Sequence, residues 1–151
     1  MIYTTEIVVH IAIDDFLKKL ENADNMKHWQ KHLTSFEHIS GDPGTVGSKM
    51  QLNYTVDKRK VELIETITHT NLPHEIYKSY ETEGMYNYQK NHFYTTPEGY
   101  TKWIVENEFS PTNIVYKIMV LLMPKAFKKQ SKKYLLDFKN FAENGTSIQH
   151  A

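Results

Sequence analysis

The sequence predicts an α+β domain in which seven antiparallel strands form a curved sheet around one long C-terminal helix, with two short helices after the first strand. Three observations predict it. Residues 32–110 read as six consecutive strands separated only by tight turns, the pattern of an antiparallel meander. After Pro124, Phe127, Tyr134, Phe138 and Phe141 recur at spacings of seven, four and three, one apolar stripe on a helix. The remaining helical segments lie before the meander and are too short to stand alone, so they dock on something larger. At 151 residues the chain is read as one domain, 1–151, because a second core would leave each half marginal.

Taken in order, residues 2–13 are rich in Thr, Val and Ile and open the sheet. Asp14 and Asp15 start a short helix whose Phe16, Leu17 and Leu20 share one face. A second short helix over residues 26–31 is anchored by Trp29. Strands follow at 32–40, 48–56, 60–70, 74–83, 85–95 and 100–109. Their turns are the glycine-rich 41–47, the charged Asp57-Lys58-Arg59, Asn71-Leu72-Pro73, Gly84, and Pro97-Glu98-Gly99. Ser110-Pro111 has the form of a helix start, a capping hydroxyl followed by proline at the first helical position. The helix runs to Glu143, with Gly145 as its stop, and Pro124 kinks it or splits it in two.

Composition narrows the function classes. Eighteen basic and eighteen acidic residues leave no net charge, so no global field favours nucleic acid or membranes. No platform of interleaved basic and aromatic residues suits nucleic acid. The absence of cysteine excludes disulfides and thiolate metal sites. The start lacks a basic segment leading into an apolar run, so a cytoplasmic location is expected. The most apolar stretch, residues 114–123, is far short of the roughly 20 that span a bilayer. His28 and His32 have i, i+4 spacing but no accompanying glutamate, and no metal site is assigned. Gly41, Gly44 and Gly47 precede a strand rather than a helix and form a turn, not a phosphate loop. The lysines after Pro124 read either as a solvated helix face or as a contact for anionic lipid.

The order of elements resembles the SRPBCC superfamily, which includes START lipid-transfer domains, Bet v 1-type allergens and polyketide cyclases. The carrying residues are Trp29, the run Gly41-Asp42-Pro43-Gly44-Thr45-Val46-Gly47-Ser48, Glu65-Thr66-Ile67, Asn71-Leu72-Pro73, Gly99-Tyr100-Thr101-Lys102-Trp103 and Phe138-Lys139-Asn140-Phe141-Ala142-Glu143. The resemblance covers essentially the whole chain. It implies the helix-grip fold and a hydrophobic ligand cavity, but no single reaction, because members bind lipids, sterols, polyketides and hormones. No subfamily's catalytic motif is present, and no cofactor is implied.

Within that frame the charged turn at Asp57 suggests pairing Val56 with Val61, Tyr54 with Leu63, Leu52 with Glu65 and Met50 with Ile67. All eight side chains then share one face, and seven are apolar or aromatic, so this face is inward. Glu65 is the exception. A buried carboxylate is costly unless paired or protonated. It reads either as a general acid/base or ligand anchor with a raised pKa, or as a structural group holding a buried partner. Thr101, Trp103 and Val105 point inward from the last strand. A two-residue turn at Pro97-Glu98 adds His92 to them, whereas a turn one residue longer substitutes Phe93, Asn91 and Gln89. Met119, Met123 and Phe127 flank Pro124 and suit an adaptable cavity wall or plain core packing. The expected function is binding of a hydrophobic or amphipathic small molecule by Leu52, Tyr54, Leu63, Glu65, His92, Thr101, Trp103, Val105, Met119, Met123 and Phe127. The alternatives are a cyclase- or dehydrase-type enzyme working through Glu65, and a protein-interaction module with a residual cavity.

Overall fold

A computed structural model describes residues 1–150. Seven strands form one antiparallel sheet: β1 (Ile2–Val9), β2 (Leu33–Ser40), β3 (Lys49–Val56), β4 (Arg59–Asn71), β5 (Glu75–Thr82), β6 (Met85–Thr95) and β7 (Thr101–Pro111). Their spatial order is β1-β7-β6-β5-β4-β3-β2, so β2 to β7 form the meander and β1 adds to its far edge beside β7. Three α-helices occur among the described residues: α1 (Ile13–Glu21), α2 (Ile114–Leu122) and α3 (Pro124–Asn144).

Several boundaries differ from the sequence reading. The opening strand ends at Val9. The second short helix is a 3-10 segment, Ala23–His28, capped by the Asn22 side chain accepting from the Asp24 N–H. Ser110-Pro111 does not start a helix; β7 continues through it, with Pro111 opposite Met85 at the strand's end. The cap is instead Asn113, whose side-chain oxygen accepts from the Tyr116 N–H at 2.9 Å. Pro124 splits the long helix, because proline at the first position starts α3 where it cannot continue α2.

Two turns set the registers. Asp57 and Lys58 both lie at positive φ, +48° and +67°, the pattern of a two-residue type I′ hairpin turn. Leu52 therefore faces Leu63 and Met50 faces Glu65, two residues from the expected register. A slip of two leaves every side chain on its expected face. At the β6–β7 turn the longer alternative holds. Gly99 sits at φ +86°, Thr96 and Tyr100 close the loop, and Phe93 faces Trp103.

The core is an edge-to-face aromatic cluster. Phe16 of α1 meets Phe93, Trp103 and Phe138 at centroid distances of 5.5, 5.7 and 5.1 Å. Trp29 meets Phe138 at 5.3 Å. The burial of Leu135, Phe138 and Ala142 thus pins the C-terminal half of α3 to the sheet and to α1. Its N-terminal half carries no fully buried residue and meets the sheet along β1 and β7, where the Tyr3 hydroxyl donates to the Phe127 carbonyl at 3.0 Å and Phe127 packs on Phe109 at 5.1 Å.

A candidate ligand cavity between sheet and helix

A cavity of about 370 Å³ lies between the inner face of the sheet and the N-terminal half of α3. Its walls include Leu63, Trp103, Val105, Phe109 and Phe127, with Tyr54 and Tyr134 supplying phenols. The exposed Lys31, His32, Val56 and Gln130 mark its mouth. A second cavity of about 180 Å³ lies against α1 and is lined by Glu21, Glu65 and Lys78. Trp29, Gln30, Tyr80, Gln89 and Trp103 border both.

Tyr54, Leu63, Trp103, Val105 and Phe127 are therefore brought together as expected, and Glu65 faces the smaller space. Leu52 is fully buried but packs in the core without lining either cavity. Thr101 does likewise, its hydroxyl donating to the Ile11 carbonyl at 2.9 Å. His92 is a correction: the longer turn places it on the outer face, 3.4 Å from the carboxylate of Glu75. Met119 and Met123 are a second correction. Both are exposed, and none of the nine residues of α2 is buried, so this helix does not cover the sheet.

Sequence reasoning undervalued the inner face of β6. Asn87, Gln89 and Asn91 recur every second residue and form a ladder of amides with Asn107. Asn87 and Gln89 each donate to Asn107 Oδ1 at 3.3 Å, and Asn91 donates to Gln89 Oε1 at 3.1 Å. The indole N–H of Trp103 donates to Asn91 Oδ1 at 2.9 Å. The period-two amides were a visible signal. The opposite face carries Tyr88, His92 and Tyr94, groups that also suit a cavity, so only the turn length decides between them.

The electrostatics are those of a covered space. Burial raises the Tyr54 phenol well above its usual range, with Tyr134 and Glu65 adding to the shift; its hydroxyl donates to Gln30 Oε1 at 2.5 Å. Burial likewise raises Tyr80, helped by the charge of Glu65. Burial lowers the Lys78 ammonium, but Glu65 at 3.8 Å and Glu21 at 4.0 Å together leave it above its ordinary value. Two polar atoms in this region are buried without a protein partner: Glu21 Oε1 and the indole N–H of Trp29. No cluster of three potential metal-ligating side chains occurs among the described residues.

No protein-family model matches the chain, and no curated protein does. Solved structures do. The Thermus thermophilus protein TTHA0849 superposes with a TM-score of 0.77 at 11% identity, over 97% of this chain and 100% of its own. Ara h 8.0201 gives 0.73 at 12%, over 94% and 97%. Ginseng major latex-like protein 151 from Panax ginseng gives 0.72 at 13%, over 94% and 97%. At such identities the likeness is one of architecture: the chain has the Bet v 1-like helix-grip fold.

Proposed function

We propose that the protein binds a hydrophobic or amphipathic small molecule in the larger cavity. The observation that carries this reading is an open space of about 370 Å³ with aromatic and aliphatic walls and few, placed polar groups. That volume is within the roughly 300–1,000 Å³ of pockets that enclose small ligands. Apolar walls supply affinity, while the Tyr54 and Tyr134 phenols and the amides of Asn87 and Gln89 orient the ligand's polar end. The buried N–H of Trp29 supports a ligand with an oxygen acceptor, since an unmade buried hydrogen bond is costly. Acid/base chemistry through Glu65 has less support, because that carboxylate is held by Lys78 beside the smaller cavity.

Native mass spectrometry of gently purified protein tests the reading, together with titration of an apolar fluorescent probe such as anilinonaphthalene sulfonate. A co-purifying apolar compound, or probe binding weakened about tenfold by the space-filling Leu63→Trp, is the expected result. No co-purifying compound, with probe binding unchanged in a folded Leu63→Trp, overturns it.

A further inference from the structure

Helix α2 is apolar and faces outward. Of its nine residues, IVYKIMVLL, none is buried. Ile114, Leu121 and Leu122 are 68, 78 and 72% exposed, and Val115 and Ile118 are exposed as well. Ile114, Ile118 and Leu122 recur every four residues with Val115 and Leu121 beside them, so these five form one stripe. Tyr116 and Val120 occupy the opposite face and are half-buried. Tyr116 and Asn113 hold α2 to the β5–β6 turn. A Cβ built on Gly84 comes within 2.1 Å of the Asn113 amide and 2.7 Å of the Tyr116 ring, so glycine is required for that close approach. The exposed stripe is thus presented by an anchored helix.

The charge around it points to one kind of partner. From Phe109 to Leu136 there is no aspartate or glutamate, while Lys117, Lys125, Lys128, Lys129, Lys132 and Lys133 fall within this stretch. Lys133 is neutralised by Asp137 at 2.6 Å; among the described residues the other five have no ion-pair partner. In a chain of zero net charge this is a local concentration of positive charge. An apolar stripe bordered by lysine is the pattern of a helix lying in a bilayer interface. At about 1.5 Å per residue α2 is only about 14 Å long, which suits lying in the interface rather than crossing it. A second copy of the chain fits less well, since a two-fold contact through this stripe brings the two lysine-rich segments together.

We propose that α2 and the start of α3 dock the protein on the surface of an anionic phospholipid bilayer, with the α2 stripe inserted among the acyl chains. Phe127, one turn into α3, lines the ligand cavity, so docking sets one wall of that cavity next to the lipid.

Co-sedimentation with vesicles of phosphatidylcholine alone, and of phosphatidylcholine and phosphatidylserine in equal parts, tests the proposal without reference to any cavity ligand. The expected result is binding to the mixed vesicles that weakens with salt and falls by about tenfold or more in Ile118→Asp/Leu122→Asp. These side chains face solvent, so the variant should keep its thermal midpoint. Lys125→Glu/Lys128→Glu/Lys129→Glu should lose binding to the mixed vesicles too. Three outcomes overturn the proposal: no sedimentation with either vesicle, equal binding to both, or full binding by the aspartate variant. A dimer seen by light scattering that the aspartate variant abolishes, without vesicle binding, assigns the stripe to a second copy instead.

Discussion

Lys78 on β5 reaches Glu65 on the neighbouring β4 at 3.8 Å and Glu21 at the end of α1 at 4.0 Å, so one ammonium ties the sheet to the short helix above it. The Lys78 and Glu65 side chains are only 17 and 12% exposed. Removing one charge from such a group strands its partner in poorly solvated surroundings. Glu65→Gln should cost about 2–4 kcal/mol in urea unfolding. Lys78→Met should cost more, since it leaves Glu65 and Glu21 without their shared cation. Equal, small losses in both variants would show that water screens the pair.

Alkaline pH should act on the same region. Tyr54, Tyr80 and Lys78 all have pKa values raised by their folded surroundings, from ordinary values of 10.0, 10.0 and 10.5. A raised value means that the folded state holds the proton more tightly. Its contribution is complete below the unfolded value and is lost as pH rises through the folded one. The thermal midpoint should therefore be flat near neutrality and fall above about pH 10, each group contributing on the order of 1 kcal/mol per pH unit. Tyr54→Phe should make the decline shallower. An unchanged slope would place the sensitivity elsewhere.

Two tryptophans allow a matched comparison. Trp29 and Trp103 are both buried and both meet Phe138 edge to face. The N–H of Trp103 is bonded to Asn91, and that of Trp29 has no protein acceptor. Replacing each with Phe removes similar volume, but only Trp103→Phe takes away the donor bonded to the buried Asn91 Oδ1. Trp103→Phe should be the more destabilising by about 1–2 kcal/mol. The same pair bears on function, for Trp29→Phe should weaken a ligand that uses an oxygen acceptor at that N–H.

The hairpin turn between β3 and β4 can be improved. Lys58 sits at φ +67°, a conformation that L side chains adopt at a cost and glycine adopts freely. Lys58→Gly should stabilise the protein by about 0.5–1 kcal/mol in denaturant titration. A loss would mean that the lysine side chain makes a compensating contact.

What the sequence made legible depended on the physics of each element. The inward face of β3 and β4 was readable although their register was not, because a two-residue slip leaves Tyr54, Leu63 and Glu65 where alternation puts them. His92 was not readable, because one residue in the Pro97-Glu98-Gly99 loop reverses its strand and both faces of β6 carry aromatic and polar groups. The pairing of Asp57 with Lys58 at positive φ was hidden, since such turns are usually signalled by Asn-Gly or Asp-Gly. Met119 and Met123 misled for a different reason. Apolarity in a sequence reports a preference for leaving water, and it does not say whether the protein's own sheet or another surface provides the refuge. The apolar stripe of α3 was legible because Phe138 and Ala142 find the core, as helical spacing required.

The placement of β1 beside β7 governs how the chain is assembled in time. Ile2 pairs with Glu108 and Val9 with Thr101, so β1 pairs with the strand that lies furthest from it in the sequence. Until that pairing forms, the meander has a free border at β7 and the N-terminal segment has no fixed place. Sequence separation of this kind slows folding and prolongs the interval in which strands can stick to neighbours. Closing the seam between β1 and β7 does not finish the domain, because α3 follows β7 in the chain and still has to seat Phe138 against Phe16.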